Sequence, residues 1–129
     1  MNNKIITTAA FFGMTAIILG AFGAHALKKV LNVDQLATFE TGVKFQMYHA
    51  LFLLFIGLNA HMAEKIKKTI LNLTILGIIF FSGSIYLLAT DSLNTFNFKV
   101  IGFLTPIGGL LLITSWGVLM WNFLKKKDN

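Results

Sequence analysis

The sequence predicts an all-α membrane protein, a four-transmembrane-helix bundle with a short amphipathic interfacial helix before the second span. Three observations predict it. Hydrophobic residues make up 56% of the chain and charged ones 12%, about half the charge of an ordinary globular domain. A soluble fold of 129 residues has too much surface to carry so few charges. Four apolar stretches, at about 5–27, 45–63, 69–90 and 100–124, are each long enough to cross a hydrocarbon core about 30 Å thick. No Asp, Glu or Lys falls inside any of them. Helices follow because a segment in lipid must pair its own backbone polar groups. A single transmembrane domain over residues 1–129 is expected.

The first stretch imitates a secretory signal, with Lys4 before it and Ala24-His25-Ala26 at its end. Its length exceeds the usual 7–15-residue apolar region of such signals, and three further stretches follow. It is expected to stay as a span. Between the first two spans, Asn32 with Gln35 three residues on fits a capping box. Beyond it Leu36, Phe39 and Val43 are apolar, while Gln35, Thr38, Glu40 and Lys44 are polar. That pattern predicts an interfacial helix over 33–43 that bends near Gly42 into the second span. Residues 64–68 read as a tight turn and 91–97 as a polar turn region.

The charges orient the bundle. All eleven basic residues are lysines. If the termini share a side with the second loop, that side holds Lys4, Lys65, Lys67, Lys68, Lys125, Lys126 and Lys127. The opposite side holds Lys28, Lys29, Lys44 and Lys99, together with Asp34, Glu40 and Asp91. The excess predicts cytoplasmic amino and carboxyl termini. The net charge of +6 therefore reads as topology signal, and nucleic acid is not an expected partner. Membrane lipids are, and a homo-oligomer is the expected route to any larger groove. With no Cys, disulfides and thiolate chemistry are excluded.

Inside lipid, helices associate through small residues and interhelical hydrogen bonds. Ala16, Gly20 and Ala24 form a small-residue stripe on the first span. Ser82, Tyr86 and Thr90 share a side of the third, and Thr105, Gly109, Leu112 and Trp116 a stripe of the fourth. Pro106, with Gly108 and Gly109 behind it, predicts a kink: a packing device, or a carbonyl-lined hinge.

Ionisable groups in lipid must pair, which makes them site candidates. His25 lies at the outer end of the first span, Glu40 before the second and His49 one turn into it. Phe39, Gly42, Gln46 and His49 follow the spacing of one helix face, and Tyr48 and Tyr86 reach the same depth. A His25–Glu40–His49 cluster could hold a proton, a metal ion or a lipid headgroup. The plain alternative is that His25 and His49 are hydrogen-bond glue between helices or snorkel to the interface. His61 with Glu64 reads as interfacial. No Walker, H-E-x-x-H or G-x-S-x-G motif is present, so an enzyme is not expected.

Four segments carry a family resemblance: residues 20–27 (GAFGAHAL), 39–51 (FETGVKFQMYHAL), 81–87 (FSGSIYL) and 105–109 (TPIGG). In this order the chain resembles the small bacterial membrane proteins of domain-of-unknown-function family 423, relatives of eukaryotic transmembrane protein 256. The resemblance implies four helices in a bacterial plasma membrane. It implies that His25, Glu40, Tyr48, His49, Ser84, Tyr86, Thr105 and Pro106 belong together, and it names no cofactor or ligand.

Overall fold

Residues 1–93 and 98–126 are described by a computed structural model. Helix α1 spans Asn2–His25, α2 Val33–Leu58, α3 Glu64–Ala89 and α4 Leu104–Leu124. All four are long and apolar enough to cross a membrane. Consecutive helices pack on one another: α1 chiefly on α2, and α3 on both α2 and α4. The middle pair is the more enclosed, with 44% of the apolar window of α2 and of α3 buried, against 22% for α1 and 17% for α4. The flanking helices therefore present most of the lipid-facing surface. Phe11, Met14, Ile17, Ile18 and Phe22 stand outward on α1, and Ile107, Leu110, Ile113, Met120 and Trp121 on α4.

The interfacial helix expected at 33–43 is continuous with the second span, without a break at Gly42. Its start is as expected: the Asn32 side chain accepts from the Gln35 amide at 2.8 Å, and the Gln35 side chain accepts from the Asn32 amide at 3.0 Å. Gly42 is buried in mid-helix because Tyr86 of α3 lies against it, and a Cβ there would stand 2.7 Å from the Tyr86 ring. The glycine admits a ring and does not make a bend.

Two other features differ from expectation. The turn read at 64–68 is the first turn of α3, which begins at Glu64. Pro106 sits in the first turn of α4, after a 3₁₀ segment Phe98–Phe103, and so leaves no carbonyl stranded within a longer helix. Proline is tolerated there because first-turn amides have no intrahelical partner. The irregular backbone lies across the interface in α3, where Ile79–Gly83 forms a π-helical turn. Of the region 91–97, Asp91–Leu93 is a 3₁₀ turn, and 94–97 lie outside the described residues.

Buried apolar side chains gather in two clusters, one toward each end. Near the lysine-rich end Ile5 and Ala9 of α1 meet Phe52, Leu53 and Ile56 of α2 and Ile70 and Leu71 of α3. At the opposite end Leu27 and Leu31, either side of the α1–α2 connection, pack with Phe39 and Ala89. Along the α1–α2 seam the close approaches come from Gly13 on Ala50, Gly20 on Val43 and Gly23 on Phe39. Ala16 is buried in that seam, whereas Ala24 is exposed. The contact face drifts from a strict four-residue stripe because 3.6 residues make a turn.

Candidate functional site

Gln46 is the hub of the polar interior. It projects from α2 at a buried position. Its Nε2 donates to the Phe12 carbonyl at 2.9 Å and to the Thr15 hydroxyl at 2.8 Å, both on α1. Its Oε1 accepts from the Tyr86 hydroxyl of α3 at 2.6 Å. An amide nitrogen has two protons, and both are used. One side chain thus ties three helices together.

Tyr86 reaches Gln46 by lying over Gly42, with its ring 5.0 Å from that of Phe39. One turn away, the buried Ser82 hydroxyl donates to the Gly42 carbonyl at 2.7 Å. Ser82 belongs to the π-helical turn, where the wider winding disturbs the regular backbone pairing of α3. Ser84 follows that turn; its hydroxyl donates to the Phe81 carbonyl at 3.0 Å and lies 2.5 Å from the Thr105 hydroxyl of α4. Here Gly108 meets the backbone of Phe80 and Phe81 directly, with no room for a Cβ. The glycine lets α4 sit on the π-helical turn, and Ser84–Thr105 locks the crossing.

His49 serves the α2–α4 contact. Its Nδ1 is 2.7 Å from the Phe45 carbonyl, and its Nε2 is 3.0 Å from the indole nitrogen of Trp116. An indole N–H can only donate. Nε2 therefore accepts, and the proton of the neutral ring is on Nδ1, donated to Phe45. The Trp116 ring also packs 4.2 Å from Phe52. His49 and Trp116 line a groove of about 320 Å³ with Phe45, Phe81, Gly109 and Leu112. Its wall is almost wholly apolar.

The other expected site residues lie apart from this network. His25, Glu40 and Tyr48 are exposed. Among the described residues no group of three His, Asp or Glu side chains could hold a metal ion. The His25–Glu40–His49 cluster is therefore not assembled, because His49 turns inward while His25 and Glu40 stay at the surface. His61 is exposed as well, its amide donating to the Asn59 side chain at 2.8 Å.

Several polar participants were not singled out as site residues from the sequence. Thr74 and Ser115 meet at 2.7 Å between α3 and α4, both wholly buried. Lys67, one of the topology lysines, is buried; its Nζ donates to the Asn2 side chain at 2.9 Å and also to the Asn59 carbonyl. That ammonium joins the start of α1 to the α2–α3 turn. Thr15 is a lone threonine in an apolar run, and nothing local marks it as the partner of Gln46.

The chain as a whole has clear relatives. The family described as "Protein of unknown function (DUF423)" matches residues 19–109, a segment that includes Gln46, His49, Ser82, Ser84, Tyr86 and Thr105 but not the partners Phe12, Thr15 and Trp116. A "UPF0382 membrane protein" of Haemophilus influenzae is 36% identical over 128 residues, 99% of each chain. Another from Staphylococcus saprophyticus is 39% identical over 115 residues, covering 89% of this chain and 92% of the relative. The "UPF0382 inner membrane protein YgdD" of Escherichia coli is 32% identical over 122 residues, covering 92% and 88%. No solved structure matches. The family match, the membrane relatives aligned over nearly the whole chain and four membrane-length helices agree: this chain is an integral membrane protein of the DUF423 (UPF0382) family.

Proposed function

We propose that this chain is a non-enzymatic structural or accessory membrane protein whose polar interior fixes one arrangement of four helices. Its biological action is then exercised at its lipid-facing surface. One observation carries this reading. Both amide protons and the carbonyl oxygen of Gln46, and both ring nitrogens of His49, have partners on the chain itself. With every polar atom of the two side chains already partnered within the chain, a ligand or substrate would have to displace an existing hydrogen bond or share the Gln46 oxygen. The same saturation is the favoured way to hold helices together where no water competes. Both termini are cytoplasmic in this reading, supported by the seven lysines at that end.

Binding or passage of a small ligand, ion or lipid by the outer His25, Glu40 and Tyr48 is the rival reading. It needs these exposed groups to act without the buried ones. Thermal unfolding of the purified protein in a mild detergent separates the two, read beside growth of a deletion strain complemented with each variant. Gln46→Leu and His49→Phe are expected to lower stability, with loss of complementation following loss of folded protein. Glu40→Gln and His25→Ala are expected to leave both at wild-type values. Failure of Glu40→Gln or His25→Ala to complement, with the bundle fully stable, would contradict the proposal.

A further inference from the structure

At the lysine-rich end a second groove, of about 420 Å³, runs along α4 against the start of α3 and meets the His49–Trp116 groove at Ile113. Ile113, Gly117, Trp121 and Lys125 recur along it at four-residue intervals, Asn122 lies beside Trp121, and Ile66 closes the α3 side. The twelve-residue rise from Ile113 to Lys125 is about 18 Å on a helix. That is close to the depth of one leaflet of a core about 30 Å thick. The groove is thus a leaflet-long apolar trough ending at an exposed ammonium.

One atom in it is out of place. Asn122 is 5% exposed, and its Nδ2 has no hydrogen-bond partner among the described residues. A buried donor without a partner is costly, and hydrocarbon offers it none. The last torsion of an Asn side chain is soft, so a small turn presents Nδ2 at the groove wall, one turn before Lys125.

We propose that this groove binds an anionic phospholipid of the leaflet at the lysine-rich end. One acyl chain lies along Ile113 and Gly117, an ester carbonyl accepts from Asn122, and the phosphate pairs with Lys125. The three parts of a phospholipid occur in that order and at that spacing: chain, carbonyl, then phosphate. The trough, the donor and the cation stand in the same order along α4. Gly117 leaves the floor clear, since a Cβ there would meet nothing within 4 Å.

Trp121 reports occupancy. The full chain carrying Trp116→Phe, so that Trp121 is the only indole, is reconstituted in phosphatidylcholine vesicles. These contain a small fraction of either dibromo-phosphatidylglycerol or dibromo-phosphatidylcholine as quencher. The anionic phosphatidylglycerol is expected to associate at Trp121 about five-fold more strongly, the effect of one lysine near an anionic headgroup. Lys125→Gln is expected to bring the two lipids to parity, whereas Lys68→Gln, at the same end, preserves the preference. Asn122→Leu is expected to weaken quenching by both. Gly117→Leu is expected to do the same by filling the trough, with thermal stability kept; it serves as the test should Asn122→Leu not fold. Equal quenching in the wild-type chain, equal loss with Lys68→Gln, or quenching unchanged in Gly117→Leu would each overturn the proposal. So would quenching by neither lipid together with a cross-linked dimer through α4, which would give the groove to a second copy of the chain.

Discussion

Gln46 makes three hydrogen bonds to two other helices, and its removal leaves more behind than it takes away. In Gln46→Leu the Tyr86 hydroxyl faces an apolar methyl, and the Thr15 and Phe12 groups lose a donor. A cost of about 1–3 kcal/mol is expected, read as a lower melting temperature in detergent. His49 offers a sharper readout. The indole donor at Nε2 requires the Nδ1–H tautomer, so nitrogen NMR of labelled histidine in bilayers should show a protonated Nδ1 and an unprotonated, hydrogen-bonded Nε2. Trp116→Phe should shift the Nε2 resonance while the Nδ1 bond to Phe45 persists. That Gln46 and His49 face inward together was legible in the spacing of Phe39, Gly42, Gln46 and His49. Their partners were not. Thr15 and Trp116 lie on other helices, and a side chain's distant neighbours leave no local mark.

The elements meet through glycines that cannot be enlarged. Gly108 faces the Phe80–Phe81 backbone, which cannot turn aside as a side chain can. Gly108→Ala should therefore destabilise by about 3 kcal/mol or more. Gly42→Ala pushes on side chains alone, the Tyr86 ring and Ile85, and should cost less, about 1–3 kcal/mol. Circular dichroism melts of the two variants in one detergent give the order. Pro106→Ala should change stability by less than about 1 kcal/mol, because the residue lies in the first turn of α4. A larger loss would restore the hinge that the sequence suggested. The capping box at Asn32 was legible because it is wholly local. The π-helical turn was not: residues 79–83 read as ordinary apolar helix, and what the turn meets, Gly108 and Thr105 of α4, lies far along the chain. The small-residue stripe was half legible, with Ala16 and Gly20 in the seam and Gly23 in place of Ala24.

At the scale of the whole molecule, paired polar side chains sit within a largely apolar interior, Asn122 excepted, while many bulky apolar side chains also face outward. Hydropathy and lysine placement suffice to read the four spans, since both are properties of the chain taken piece by piece. The interior network is a property of the assembled bundle. The proposed cytoplasmic termini predict that a carboxyl-terminal green fluorescent protein fusion fluoresces and that an alkaline phosphatase fusion there is inactive. The central claim, that buried polar groups of this chain bind helices to one another, is tested most directly by a double-mutant cycle. Unfolding free energies are measured for wild type, Gln46→Leu, Tyr86→Phe and the pair. A coupling of about 0.6–1.7 kcal/mol, the range for hydrogen bonds between membrane helices, is predicted. Strict additivity of the two substitutions would contradict it.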